Sequence, residues 1–164
     1  LDTGTSGVLV VARETASFEA LRAALEADRI DKHYLAFVDP HAELREGQTI
    51  DAPLANDPRD PRRVVVGDLF DDARPARTEL TAVITHARSL EVEVRAPHAF
   101  RHQVRAHLAH VGAPLLGDTL YGGPFVPGLA RHALHASRVR FEHPSTRRVI
   151  RVVSPLPADM VALR

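Results

Sequence analysis

Leu1-Asp2-Thr3-Gly4-Thr5-Ser6-Gly7 runs straight into Val8-Leu9-Val10-Val11-Ala12, so a carboxylate in a glycine-rich turn is followed at once by an apolar, β-branched run. A tight turn backed by a rigid strand can hold one side chain to the accuracy that covalent or acid-base chemistry demands, which an ordinary surface loop cannot. Asp2 is therefore the first candidate for catalysis, and residues 8–12 are expected to form the strand behind it.

Working outward, Thr15 or Ser17 can cap a helix whose apolar Phe18, Leu21 and Leu25 fall at i, i+3 and i+7, the spacing of a face that packs on a core. Tyr34-Leu35-Ala36-Phe37-Val38 is β-rich and stopped by Asp39-Pro40, with Lys32 and Tyr34 at its entrance. Residues 53–61 read as an exposed loop, rich in Asn, Asp, Arg and Pro. Residues 78–85 and 90–95 suit a hairpin in which Leu90, Val92 and Val94 face the core and Glu91, Glu93 and Arg95 face water. A helix is expected over 101–111, with Val104, Leu108 and Val111 on one stripe and Gln103, His107 and His110 on another. Residues 117–128 form a glycine-proline loop. Val139 and Phe141, a turn at His143-Pro144-Ser145-Thr146, and residues 149–153 make a second hairpin, and Pro157 can open a short terminal helix.

The 164 residues, 45% hydrophobic and 26% charged, suit one soluble domain with a proper core. No apolar run approaches the roughly twenty residues of a membrane span. The chain has no cysteine, which removes thiolate chemistry and suits a reducing compartment, so the cytoplasm is expected. Because the chain opens without Met inside a structured motif, the expectation is a domain lacking its N-terminal portion, and a signal peptide is not readable. Net charge is zero but lopsided. Residues 1–93 hold 18 acidic and 11 basic groups, a balance of −7, whereas residues 94–164 hold 3 and 10, a balance of +7. Arg95, Arg101, Arg105, Arg131, Arg138 and Arg140 lie in the basic half, which favours a polyanion such as RNA unless the two halves interleave and their charges pair.

Asp2-Thr3-Gly4 also matches the signature of aspartic proteases, in which two such carboxylates share a proton, and Val64-Val65-Val66-Gly67 resembles an element of the retroviral type. A second Asp-Thr-Gly is absent, and the helix and length that follow fit that reading poorly. More of the chain resembles the RluA-type pseudouridine synthases. Leu1-Asp2-x-x-Thr5-Ser6-Gly7 is similar to their catalytic motif, and Lys32-His33-Tyr34-Leu35-Ala36-Phe37-Val38 to their Lys-x-Tyr-x-Ala-x-Val strand. His102-Gln103-Val104-Arg105-Ala106-His107 resembles their His-Gln-x-Arg-x-His helix, and residues 112–122 their Gly-x-Pro-x-x-Gly-Asp-x-x-Tyr-Gly loop. Leu134-His135-Ala136 and His143-Pro144 complete an ordered series spanning nearly the whole chain.

The resemblance implies an α+β domain with a mixed, mostly antiparallel sheet, flanking helices and a central RNA-binding cleft, which isomerises uridine to pseudouridine in structured RNA (rRNA or tRNA). It makes Asp2 the essential carboxylate, acting as a nucleophile or by starting elimination at the sugar, and Tyr34 the residue that stacks on the target base and assists at C5. A basic partner should keep Asp2 ionised. The family usually has Arg where Phe100 stands in Ala99-Phe100-Arg101-His102-Gln103, so Arg101 is the first candidate for that partner and Arg105 the second. Lys32, His102, Gln103 and Arg105 are the expected RNA contacts. No cofactor and no metal are expected: His102 and His107 stand roughly 140° apart around a helix and no His-Glu-x-x-His pattern accompanies them. A catalytically impaired RNA-binding relative is the alternative, since the His-Arg that usually precedes the motif is not in the chain and Phe100 departs from the pattern.

Overall fold

In the computed structural model, which describes residues 1–97 and 100–164, a seven-stranded sheet carries the molecule. Its shortest strand, β1 (Ser6–Gly7), precedes helix α1 (Thr15–Glu26) and the long strand β2 (Asp31–Val38). Next come β3 (Thr49–Asp51), the small two-stranded sheet of β4 (Leu54–Asn56) and β5 (Val64–Val66), and the hairpin of β6 (Arg77–Thr85) and β7 (Leu90–Arg95). Helix α2 (Gln103–His110) and a single 3-10 turn at Thr119–Tyr121 lead to β8 (Leu134–Glu142), β9 (Val149–Val153) and α3 (Ala158–Val161). The sheet order is β1-β8-β2-β7-β6-β3 with β9 on the far part of β8, and among the described residues only β1 with β8 is parallel. This is the mixed, mostly antiparallel α+β architecture expected.

Strand β2 explains how the two faces are filled. Its side chains alternate, so Ala36 and Val38 enter one core with Val92, Val94, Leu80, Val104 and Leu108, while Phe37 enters the other with Leu116, Ala133 and Met160. The same alternation puts Tyr34 against the first core, on the side covered by α2. A third cluster, Leu54, Val64, Ala76, Ala106 and Tyr121, fills the space between α2 and the small sheet. Helix α2 is thus packed from two sides, and Gln103 to Leu108 are all buried.

Several expectations are corrected. Residues 8–12 are not a strand: the ladder with β8 stops at Gly7, and Leu9, Val10 and Val11 are exposed. Helix α1 forms, but Thr15 and Ser17 lie inside it and Glu14 is its N-cap without a side-chain cap; none of its residues is buried and Phe18 is 56% exposed, so its apolar face borders a cavity instead of the core. Residues 53–61 contain the strand β4. The expected wet face of β7 is partly dry, because Glu91 is 5% exposed and receives both Arg164 nitrogens at 2.8 Å and His86 at 2.8 Å. The charged halves also pair across the fold. Arg95 reaches Asp28, Asp31 and Glu79 at 2.9–3.2 Å, and Arg138 reaches Glu93 at 2.7 Å, so much of the basic half is neutralised internally.

Candidate active site

The opening turn is held closed by its own backbone, Thr5 N–H donating to the Asp2 carbonyl at 2.9 Å, and is then fixed to the start of β8. Gly7 sits at φ +111°, and a Cβ there would collide with the Ala136 backbone, so only glycine lets the turn lie flat on β8. Three side chains from residues 131–135 complete the attachment. His132 Nε2 meets Thr5 Oγ1 at 2.8 Å, His135 Nδ1 meets Ser6 Oγ at 2.9 Å, and Arg131 Nη1 donates to the Gly4 carbonyl at 3.0 Å. Because His135 Nε2 lies 3.1 Å from the Ser154 carbonyl, which can only accept, its proton is on Nε2 and the Ser6 hydroxyl donates to Nδ1. Arg131 is itself pinned by Asp159 at 2.9 and 3.0 Å. Burial pushes His132 down to about 4, with Arg105 adding to the effect, so its ring is neutral at pH 7. Reading the sequence alone missed Arg131 and His132. Their only signal was adjacency to Leu134-His135-Ala136.

Arg105, not Arg101, is the guanidinium beside Asp2. Its Nη1 lies 3.8 Å from Asp2 Oδ2, inside ion-pair range but longer than a hydrogen bond. Its Nε and Nη2 donate to the two Asp118 oxygens at 2.7 and 2.8 Å. The side chains of Arg105 and Asp118 are 6% and 1% exposed, and that of Asp2 is 20% exposed. Burial works against the Arg105 charge, but Asp118 and then Asp2 raise its affinity for the proton above the ordinary arginine value. Arg101 points elsewhere, donating to the Pro61 and Arg63 carbonyls at 2.9 and 2.8 Å. The cause is local: His102 adopts a left-handed conformation, φ +56°, immediately before α2 begins, so Arg101 is outside the helix and does not follow its one-turn spacing from Arg105.

Asp2 and Tyr34 line one cavity of about 550 Å³, within the usual range of about 300–1,000 Å³ for a small-molecule or base pocket. Lys32, Phe100, Arg101 and His102 border it too, and Leu21 and Leu25 of α1 form an apolar wall. Burial, and secondarily the Asp2 charge, push the Tyr34 phenol above its ordinary value, so the ring is neutral and suited to stacking. Burial draws Lys32 down to about 8; Asp28 opposes this and Arg95 adds to it. His102 is also lowered by burial, against Asp2 and with Arg105. Its Nδ1 lies 3.0 Å from the Tyr121 hydroxyl, which accepts the Val64 N–H at 2.9 Å and so has its own proton for His102.

Two of the expected RNA contacts are buried and have partners within the protein. Gln103, 4% exposed, donates to the Arg77 carbonyl at 2.7 Å and accepts from Phe100 N–H at 3.3 Å. The Arg105 side chain is 6% exposed and pairs with the carboxylates of Asp118 and Asp2. His107 is fully buried between Thr78 Oγ1 and the Ala52 carbonyl at 2.8 and 3.0 Å. Of the segment Ala99-Phe100-Arg101, in which the sequence departs from the family pattern, Ala99 lies outside the described residues.

The sequence profile of a family described as RNA pseudouridylate synthase matches residues 1–110. The chain belongs to this RNA pseudouridylate synthase family. The aspartic protease reading therefore falls, its Asp-Thr-Gly being part of the longer motif. The chain is 38% identical over 161 residues to an uncharacterized RNA pseudouridine synthase of Chloroflexus aurantiacus, covering 98% of this chain and 49% of that protein. It is 36% identical over 176 residues to the ribosomal large subunit pseudouridine synthase D of Xanthomonas campestris pv. campestris, covering 99% and 52%. The chain thus spans about half the length of these curated relatives. Among solved structures, human RNA pseudouridylate synthase domain containing 1 superposes with a TM-score of 0.75 at 25% identity, over 94% of this chain and 66% of the other.

Proposed function

We propose that this pseudouridylate synthase chain isomerises uridine to pseudouridine in RNA, with Asp2 as the reacting carboxylate, and that it forms the catalytic domain of a longer enzyme. The observation that supports this best is that Asp2 and Tyr34, from different elements, line one cavity, while the buried Arg105 guanidinium of α2 lies 3.8 Å from the Asp2 carboxylate. In the reaction the N1–C1′ bond breaks with its electron pair going to the base, the uracil turns, and C5 bonds to C1′. The C5 proton leaves to solvent and N1 takes one up, so the conversion balances without an oxidant, reductant or cofactor. Asp2 acts at the ribose, either by attacking C1′ or by taking a sugar proton. Arg105 keeps its anion stable in a partly dry pocket. The neutral Tyr34 ring stacks on the extruded base.

Among the described residues no helix is long and apolar enough to cross a membrane. A cytoplasmic location and an rRNA substrate are the natural choices for a relative of large-subunit enzymes, with tRNA as the other candidate. The test is nucleoside chromatography of rRNA and tRNA transcripts after incubation with the chain. Pseudouridine should appear with wild type and not with Asp2→Ala. A folded wild-type chain that binds these RNAs but makes no pseudouridine would favour the binding-only alternative.

A further inference from the structure

The glycine loop after α2 has no part in the reaction as described, yet two of its polar side chains, Asp118 and Tyr121, close on Arg105. Asp118 takes Nε and Nη2 in a two-pronged contact, and the Tyr121 ring lies over the guanidinium with its centroid 5.1 Å from Cζ. The loop is itself rigid. Tyr121 N–H and Gly123 N–H both donate to the Asp118 carbonyl, at 3.1 and 2.8 Å, and a Cβ on Gly123 would collide with the Leu115 carbonyl. The Tyr121 hydroxyl ties the ring to Val64 and His102. A guanidinium fixed in plane and across its face has one orientation left, and in it Nη1 faces Asp2 at 3.8 Å.

We propose that Asp118 is a positioning residue for the reaction: with the Tyr121 ring it forms a cradle that aims Arg105 at Asp2. This rests on the synthase reading, and it assigns the Gly117-Asp118-Thr119-Leu120-Tyr121 segment a task beyond loop closure. Asp118 also occupies the Nε and Nη2 donors of Arg105, leaving Nη1 towards Asp2. Asp2 therefore meets a guanidinium it can approach without being locked into a strong two-pronged pair of its own.

The test is a double-mutant cycle of Asp118→Asn and Arg105→Lys, read by single-turnover pseudouridine formation and by RNA binding. Misaiming a catalytic group costs up to about 100-fold, so Asp118→Asn should lower the chemical rate by roughly 10- to 100-fold, with RNA affinity held within about threefold. In the Arg105→Lys background the same change should cost little, because the group it positions is gone. Asp118→Glu, which keeps the charge, should recover part of the rate. Losses that multiply independently, or a folded Asp118→Asn protein with the wild-type rate, overturn the proposal. Nitrogen-15 NMR of the arginine side chains gives a second reading that needs no turnover: Arg105 Nε–H should be protected and its guanidinium rotation slow in wild type, and fast in Asp118→Asn. Fast rotation in wild type refutes the cradle even if the chain makes no pseudouridine, so the two ideas fail separately.

Discussion

Replacing Arg105 with Met tests the electrostatics of the site through stability. The change leaves Asp118, 1% exposed, without the two hydrogen bonds of 2.7 and 2.8 Å that satisfy it, while keeping most of the side-chain volume over Tyr121. Breaking a buried pair from one side costs about 3–5 kcal/mol, since the surviving charge stays out of water. In a chain of 164 residues each kcal/mol moves the melting temperature by about 2–4 °C, so a fall of roughly 6–20 °C is expected. The double change Arg105→Met with Asp118→Leu removes both charges and should return to within about 2 kcal/mol of wild type, because a well-packed apolar pair often replaces a buried ion pair without loss. Thermal unfolding followed by circular dichroism measures all three proteins. C5-tritium release from labelled RNA then separates stability from chemistry, because the stable double variant should still be inactive. An Arg105→Met protein melting within about 2 °C of wild type would show that Asp118 is not the desolvated, dependent carboxylate described above.

Gly7→Ala must either move β8 or lift the opening turn off it, since the added methyl meets the Ala136 backbone and φ is +111°. It should cost at least about 1 kcal/mol and lower turnover more than RNA binding, measured by unfolding and by tritium release. His132 titrates near 4 in the folded protein and at 6.5 when unfolded, so the unfolded chain binds more protons between those values. Stability should therefore fall as pH drops from about 6.5 towards 4, and His132→Asn should flatten that stretch of the urea-unfolding profile. Lys32 has the same sign in another window: with a folded value of about 8 against 10.5, stability should rise from pH 8 to 10.5, and Lys32→Met should abolish the rise.

The hairpins of β6 with β7 and β8 with β9 were legible in the sequence because period-two alternation is local and survives any tertiary arrangement, and β2 because its β-rich run is stopped by Asp39-Pro40. Residues 8–12 were misread for the complementary reason. An apolar run has the composition of a strand, but a strand also needs a partner ladder, and of the opening segment only Ser6 and Gly7 pair with β8. Periodicity found α1 correctly and said nothing about what its apolar face meets, which is the wall of a cavity. At the site, Asp2 and Tyr34 were reached through ordered motifs, and they do share a cavity. The choice between Arg101 and Arg105 turned on where α2 starts, a boundary set by the positive φ of His102 that no spacing rule anticipates. Charge counts could not tell that Arg95 and Arg138 pair with carboxylates brought near only by the sheet order.

The most direct test of the central claim is Asp2→Asn, which keeps the shape of the side chain and removes its charge, compared with wild type for both RNA binding and C5-tritium release. The account expects RNA affinity within about threefold of wild type and tritium release lost by at least about 1,000-fold, the mark of a group needed by the chemistry and not by binding. Tritium release that persists in Asp2→Asn at a rate near wild type would contradict it.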